Sequence, residues 1–163
     1  MACTFAIINS FFPLEGNGGT GVKMITGLSH VSIVVPSLDA AARELESKYG
    51  LRIGAIEVNA EQGVRLAFVE LGNAKIELME PSRADSPVAK FLERNPHGGI
   101  HHFCLAVDDV AAASAAITAH GARVLGDGTQ KNVHGERIAF VHPRDFLGAL
   151  VELEERSTLN VVR

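Results

Sequence analysis

"GGIHHFCLAV" (98–107) sets two histidines side by side at the head of an apolar run. Glycines precede the run and Asp108-Asp109 follow it, so it reads as a strand. Neighbouring side chains on a strand point to opposite faces, so His101 and His102 cannot both address one pocket. The chain itself indicates which of them does, because the stretch has a counterpart upstream. "LSHVSIVVPSLDAAARELESKYGLRI" (28–53) matches "IHHFCLAVDDVAAASAAITAHGARVL" (100–125), with His30 opposite His102 at an offset of 72. Ser37 and Asp109 fall where helix N-caps belong, and Gly50 and Gly121 where the helices close.

The correspondence continues downstream. "VRLAFVELGNAKIELMEP" (64–81) pairs with "ERIAFVHPRDFLGALVELEE" (136–155), with Phe68 opposite Phe140. Three extra residues in the second copy's turn then bring Glu77 opposite Glu152. Each copy reads as strand, helix and three strands, a unit too small to cover both faces of its own sheet. The expected fold is α+β: two tandem βαβββ modules, about 25–81 and 98–156, forming one curved mixed sheet around a metal site with the helices outside. Segment 82–97 links the modules, and Val88, Phe91 and Leu92 at helical spacing place a short helix in it.

Composition agrees with one soluble domain over 24–156. The chain has 163 residues, 47% apolar and 21% charged, with a net charge of −4. Basic runs are absent, which argues against a nucleic-acid partner. No apolar stretch approaches the roughly 20 residues that a membrane helix needs. Cys3 and Cys104 are too few and too far apart for a disulfide framework, so a reducing compartment is expected. Residues 1–23 lack the basic start of a signal peptide and run into "EGNGGTG". They are expected outside the fold, either as a disordered extension or because Met24 is the natural start, and 157–163 form a tail.

The repeat selects His102 over His101, because His102 is the equivalent of His30. His102, Cys104 and Ala106 share a face, as do His30, Ser32 and Val34. Glu77 lies between Ile76 and Leu78, and Glu152 between Val151 and Leu153, so each carboxylate opposes an apolar face and points to the inner side of the sheet. A buried carboxylate needs a partner, and no Arg or Lys stands at a matching repeat position. The simplest partner is one divalent cation held by His30, Glu77, His102 and Glu152. Imidazole and carboxylate without thiolate suit Co²⁺, Zn²⁺, Mn²⁺, Ni²⁺ or Fe²⁺. Four protein ligands on a six-coordinate ion leave two positions open for a chelating substrate. A non-haem iron oxygenase would show two His and one carboxylate, so the fourth ligand argues against that class. An ion that only staples the two halves is the structural alternative.

Residues 25–156 resemble the vicinal oxygen chelate superfamily, and within it the methylmalonyl-CoA epimerases. The motifs that carry the resemblance are "GLSHVSIVVPSLDAA", "LGNAKIELMEP", "SPVAKFL" followed by "GGIHHFCLAVDDV", "RIAFVHPRD" and "GALVELEE". Family metal ligands fall on the four residues already singled out. The resemblance implies an isomerase interconverting (2R)- and (2S)-methylmalonyl-CoA, one divalent ion per chain with Co²⁺ foremost, a homodimer and a cytoplasmic or organelle-matrix setting, with the cytoplasmic one expected. The ligands suit that chemistry. Removing the hydrogen between a thioester and a carboxylate makes an enolate, whose charge a chelated cation stabilises. Glu152 is the candidate base on one face. A family glutamate that follows the "QGV" turn is replaced here by Leu66, so the second acid/base is open among Glu57, Glu61, His134, Glu77 and solvent.

His134 reads either as a turn residue or as a substrate contact. Arg144, like Arg83, Lys90 and Lys131, is a candidate for a CoA phosphate. His97, His101 and His120 read as surface or packing residues, and Cys104 as core. The rival functions are a glyoxalase I-type lactoylglutathione lyase and a non-catalytic small-molecule binding protein of the same fold.

Overall fold

A computed structural model describes residues 24–126 and 128–156; the expectations for 1–23 and 157–163 fall outside the described residues. The first module runs β1 (Ile25–Val34), α1 (Leu38–Tyr49), β2 (Glu57–Asn59), β3 (Val64–Glu70) and β4 (Lys75–Pro81). Helix α2 (Pro87–Arg94) follows in the linking segment. The second module repeats the order with β5 (Gly99–Val107), α3 (Val110–Ala119), β6 (Val124–Leu125), β7 (Ile138–Val141) and β8 (Val151–Glu155), with a 3₁₀ turn at Pro143–Asp145. All eight strands form one open mixed sheet in the order β2-β3-β4-β1-β5-β8-β7-β6. Its two halves meet along the antiparallel β1–β5 seam, flanked by the parallel pairs β1–β4 and β5–β8. None of the helices among the described residues is long and apolar enough to cross a membrane.

Local chemistry sets the helix ends where the sequence places them. The Ser37 side chain accepts from Ala40 N at 3.3 Å and that of Asp109 from Ala112 N at 2.9 Å, each satisfying a donor the helix cannot. Gly50 closes α1 at φ 67, where a Cβ would be strained. Helix α3 ends differently: His120 is its C-cap, and Gly121, at φ 89, is the residue beyond. Ser86 caps α2, and Pro87 follows at its first turn, where a missing N–H costs nothing.

Helices α1 and α3 lie outside the sheet. Leu38 of α1 packs with Val69 and Leu78, while Val110 and Ala113 of α3 pack with Ala139, Val151 and Leu153. Helix α2 brings Val88, Phe91 and Leu92 against Val34, Leu66 and Met79. The modules differ at their edges. Strand β6 has two residues, and the segment after it is mostly loop, tied by one bridge between Lys131 and Arg137.

The seam is held close by Gly98, at φ +80 just before β5, where a Cβ would lie 2.2 Å from the Val34 carbonyl oxygen. Gly98→Ala is expected to cost about 2–4 kcal/mol from a strained backbone and a clash with main chain. Gly72 has a similar φ of +82 but open space around it. Gly72→Ala is therefore expected to cost only about 1–2 kcal/mol. Urea melts of the two variants check the difference; equal losses would show that backbone strain alone decides.

Candidate metal centre

The β1–β5 seam and its flanking strands bring the four expected ligands together. Glu77 on β4 lies beside Ser32 of β1, and Glu152 on β8 beside Cys104 of β5. Phe68 and Phe140 pair with Glu77 and Glu152 across β3–β4 and β7–β8, and each presents its ring to the histidine of its own module. The ring centroids are 5.8 Å apart for His30–Phe68 and 5.7 Å for His102–Phe140. Sequence repeat has become a spatial one.

The cluster is tight and buried. His30, Glu77, His102 and Glu152 are 4–8% exposed. His30 Nε2 lies 3.6 Å from Glu77 Oε2 and 3.7 Å from Glu152 Oε2. His102 Nε2 lies 2.8 Å from Glu152 Oε2 and 4.0 Å from Glu77 Oε2. Ser32, fully buried, donates its hydroxyl to Glu77 and sits 2.9 Å from His102 Nε2. Parity along β1 had placed Ser32 on this face without giving it a role.

Charge in the cluster is unbalanced. Burial raises the pKa of Glu77, against the opposing pull of His30 and the Ser32 hydroxyl. Burial would raise Glu152 as well, but the hydrogen bond from His102 and the facing His30 outweigh it and hold Glu152 at about 2. Burial would lower His30; Glu152, Glu77 and Glu154 around it reverse this and raise it above its ordinary 6.5. Among the described residues, no Lys or Arg lines the inner cavity.

These residues fit a divalent cation. His30 Nε2 is buried without a hydrogen-bond partner and faces two carboxylates. Atoms of His30, Glu77 and His102 lie within 4.8 Å of one another, and Glu152 faces both histidines. Two carboxylates with two neutral imidazoles leave two negative charges, which one divalent ion cancels. The cavity between them, of about 30 Å³, is lined by Asn59, Gln62, Leu66, Phe68, Met79, Asn132, His134, Phe140 and Glu154 besides the four. That is room for an ion and about one water.

The remaining sequence candidates separate. His134 reaches the cavity, its ring tilted against Phe68 at 6.1 Å and its Nδ1 3.9 Å from Glu57 Oε2. Its loop is shaped by Asn132, whose Oδ1 accepts from the His134 and Glu136 amides at 3.0 Å each. Arg144, on the 3₁₀ turn, is not among the residues lining either cavity. Arg83 is committed elsewhere. It donates to the Ala60 and Glu61 carbonyls at 2.9 and 3.1 Å and pairs with Asp85 at 2.8 Å, fixing the loop that carries Gln62. Cys104 is wholly buried, and burial pushes its thiol far up, in keeping with a core residue.

His101 is neither a surface nor a simple packing residue. Its Nδ1 lies 2.9 Å from His102 Nδ1, and its ring meets Phe91 at 5.3 Å. Burial and the neighbouring His102 lower its pKa to about 4. Strict alternation fails there because the strand pairing slips at that residue, a feature no single-strand pattern records.

A second cavity, of about 380 Å³, opens beside the first and shares Phe68 and His134 with it; Arg52, Glu57, Glu70 and Lys75 line its wall.

Comparison with known proteins agrees with this geometry. The family model for the glyoxalase/bleomycin resistance protein/dioxygenase superfamily matches residues 29–140. The ethylmalonyl-CoA/methylmalonyl-CoA epimerase of Cereibacter sphaeroides is 48% identical over 133 residues, covering 81% of this chain and 99% of that one. The human mitochondrial methylmalonyl-CoA epimerase is 41% identical over 128 residues, 78% of this chain and 73% of its own. Among solved structures, the Mycobacterium tuberculosis methylmalonyl-CoA epimerase superposes with a TM-score of 0.77 at 32% identity, covering 86% of this chain and 94% of that one. A variant of the Streptomyces coelicolor methylmalonyl-CoA epimerase, in complex with 2-nitronate-propionyl-CoA, gives 0.74 at 38% identity, over 80% and 96%. With the doubled fold, the buried cluster on its seam and these likenesses in agreement, the chain belongs to the glyoxalase/bleomycin resistance protein/dioxygenase superfamily and, within it, to the methylmalonyl-CoA epimerases.

Proposed function

We propose that the protein interconverts (2R)- and (2S)-methylmalonyl-CoA by removing and returning the α-proton at the cluster of His30, Glu77, His102 and Glu152. The observation that carries this is the unpartnered, buried His30 Nε2 facing two carboxylates, with no Lys or Arg among the described residues that line the cavity. A divalent cation held by the four side chains would act as a Lewis acid toward the thioester oxygen of a chelating substrate, making the α-hydrogen acidic. Glu152 takes that proton. Leu66, Phe68, Met79 and Phe140 give the cavity its apolar wall, which excludes water from a carbanionic centre and packs the α-substituent. An ethyl group suits such a wall as well as a methyl, and the Cereibacter relative is named for both substrates.

Leu66 cannot serve as the second base. Six titratable side chains line the inner cavity. Four are the proposed ligands, and Glu154 is tied to Ser29 and Asn132 at 2.9 and 3.0 Å. His134 remains, with Glu57 beside it, and we assign it the proton on the other face. The outer cavity offers a course for the CoA arm, with Arg52 and Lys75 on its wall, each paired with a glutamate, Glu46 and Glu70, at 3.0 Å. Co²⁺, Zn²⁺, Mn²⁺ or Ni²⁺ at one ion per chain, a homodimer and a cytoplasmic setting belong to the same proposal, and the donor set supports the first of these.

The test is proton NMR of methylmalonyl-CoA in D₂O, with ethylmalonyl-CoA alongside, using protein stripped of metal and protein given Co²⁺ or Zn²⁺. Metal-dependent loss of the α-hydrogen signal is the expected result. No exchange by folded protein that binds the ion would turn the assignment toward glyoxalase-type chemistry or a binding role.

Ion affinity is expected to depend on pH with a definite sign. Protons compete for the imidazoles, and His30 is raised above 6.5. Competition therefore begins at a higher pH than for an ordinary histidine. Affinity should fall by about tenfold per pH unit for each proton displaced once the medium is below that raised value. Chelator competition with Zn²⁺ between pH 8 and 5.5 measures this; affinity independent of pH would contradict imidazole ligation.

A further inference from the structure

We propose that His101 is a positioning residue that sets which nitrogen of His102 is free to hold the ion. The inference rests on the cation reading above. Its structural basis is a pair of bulges related by the repeat. In β1, Leu28 pairs with Leu105 and His30 with Cys104, so Ser29 is an extra residue. In β5, His102 pairs with Ser32 and Ile100 with Ile33, so His101 is an extra residue. Ser29 and His101 occupy equivalent positions, each just before a histidine of the cluster. A bulge releases its extra residue from strict alternation and re-aims its side chain. Each extra side chain thus reaches the Nδ1 of the histidine that follows, Ser29 Oγ at 3.2 Å and His101 Nδ1 at 2.9 Å.

The two supports act differently. The Ser29 hydroxyl donates its single hydrogen to Glu154 Oε1 at 2.9 Å. Its oxygen is then an acceptor for His30 Nδ1–H, which leaves His30 Nε2 as the bare lone pair. The unpartnered state of that atom agrees. His30 is preset. His102 is not, because its Nε2 lies 2.8 Å from Glu152 Oε2, which can only accept. Without an ion, His102 Nε2 carries a hydrogen, and the hydrogen shared with His101 belongs to His101 Nδ1. For His102 Nε2 to bind an ion, its hydrogen must leave to solvent. The shared hydrogen then passes from His101 Nδ1 to His102 Nδ1, and His101 takes one proton from solvent on its own Nε2. Each ring begins and ends neutral with one hydrogen. Imidazole can donate in the first state and accept in the second, which a hydroxyl already committed to a carboxylate cannot do.

The test uses metal-free full-length protein with Zn²⁺ as the probe. His101→Phe keeps a ring against Phe91 but no donor or acceptor; His101→Asn places an amide near the lost Nδ1. Zn²⁺ affinity by chelator competition is expected to fall about 10–100-fold in the Phe variant and to recover largely in the Asn variant. In ¹⁵N NMR of the Zn²⁺-loaded wild type, His102 should be protonated at Nδ1, with a coupling across the hydrogen bond to His101 Nδ1. Absence of that coupling, or wild-type affinity in the Phe variant, overturns the proposal; the NMR measurement decides even if the variant does not fold. A wild-type chain that takes up no Zn²⁺ overturns the cation reading itself, and is distinguished by that failure in the unaltered protein.

Discussion

Glu152→Gln is expected to lower α-proton exchange of methylmalonyl-CoA by about 10²–10⁴-fold, the range for loss of a positioned acid/base group. Gln has nearly the same shape, so β8 keeps its place between β5 and β7. Its amide still offers an oxygen to His102 Nε2, which lies 2.8 Å from the carboxylate in the unaltered protein. What is lost is the negative charge and the ability to hold a proton. Glu152 is ionised through the whole neutral range, held at about 2 by His102 and His30. Exchange and ion content should be measured on the same sample. An ion-loaded variant that cannot exchange assigns Glu152 as the base. A variant that loses both leaves it as a ligand whose loss is sufficient, and near-normal exchange by the variant would refute its role.

His102→Ala is expected to abolish ion binding at micromolar Zn²⁺ and to destabilise the protein even without an ion. The second effect follows from burial. Glu152 is 5% exposed, and His102 is the side chain that hydrogen-bonds it. Removing one member of such a pair strands the other's charge, at a cost of about 3–5 kcal/mol. The same depressed pKa fixes the pH dependence. Glu152 contributes its stability above the ordinary carboxylate value of 4.5 and loses it as pH falls toward about 2. The variant's deficit should therefore be largest near neutrality and shrink in acid. Urea melts at pH 7 and pH 3.5 measure this. Equal deficits at both would show that lost packing, rather than stranded charge, explains the effect.

Much of this arrangement was legible in the sequence because duplication writes one pattern twice. A lone histidine on a strand says little, but His30 and His102 at matched positions, followed by Phe68 with Phe140 and Glu77 with Glu152, specify faces as well as strands. The caps Ser37 and Asp109 were legible for a more local reason, since a short polar side chain before a helical stripe has one common use. What escaped was set by pairing between strands. The bulges at Ser29 and His101 exist only relative to the opposite strand, so alternation counted along one strand sent His101 to the wrong side. The partners of Arg83 escaped for a similar reason. They are the backbone carbonyls of Ala60 and Glu61, and carbonyls look alike in every sequence. The strand expected after the second helix is present as β6, though it is only two residues long.

Each module supplies one histidine and one carboxylate, and the two halves pair strand to strand along β1 and β5. On the cation reading proposed above, each half carries two of the four donors, so tight ion uptake would require both halves docked. An ion that binds only the docked form also favours it by mass action. Metal occupancy would then register a parting of the seam before any strand or helix had melted, and the ion would act as a clasp as well as a reagent.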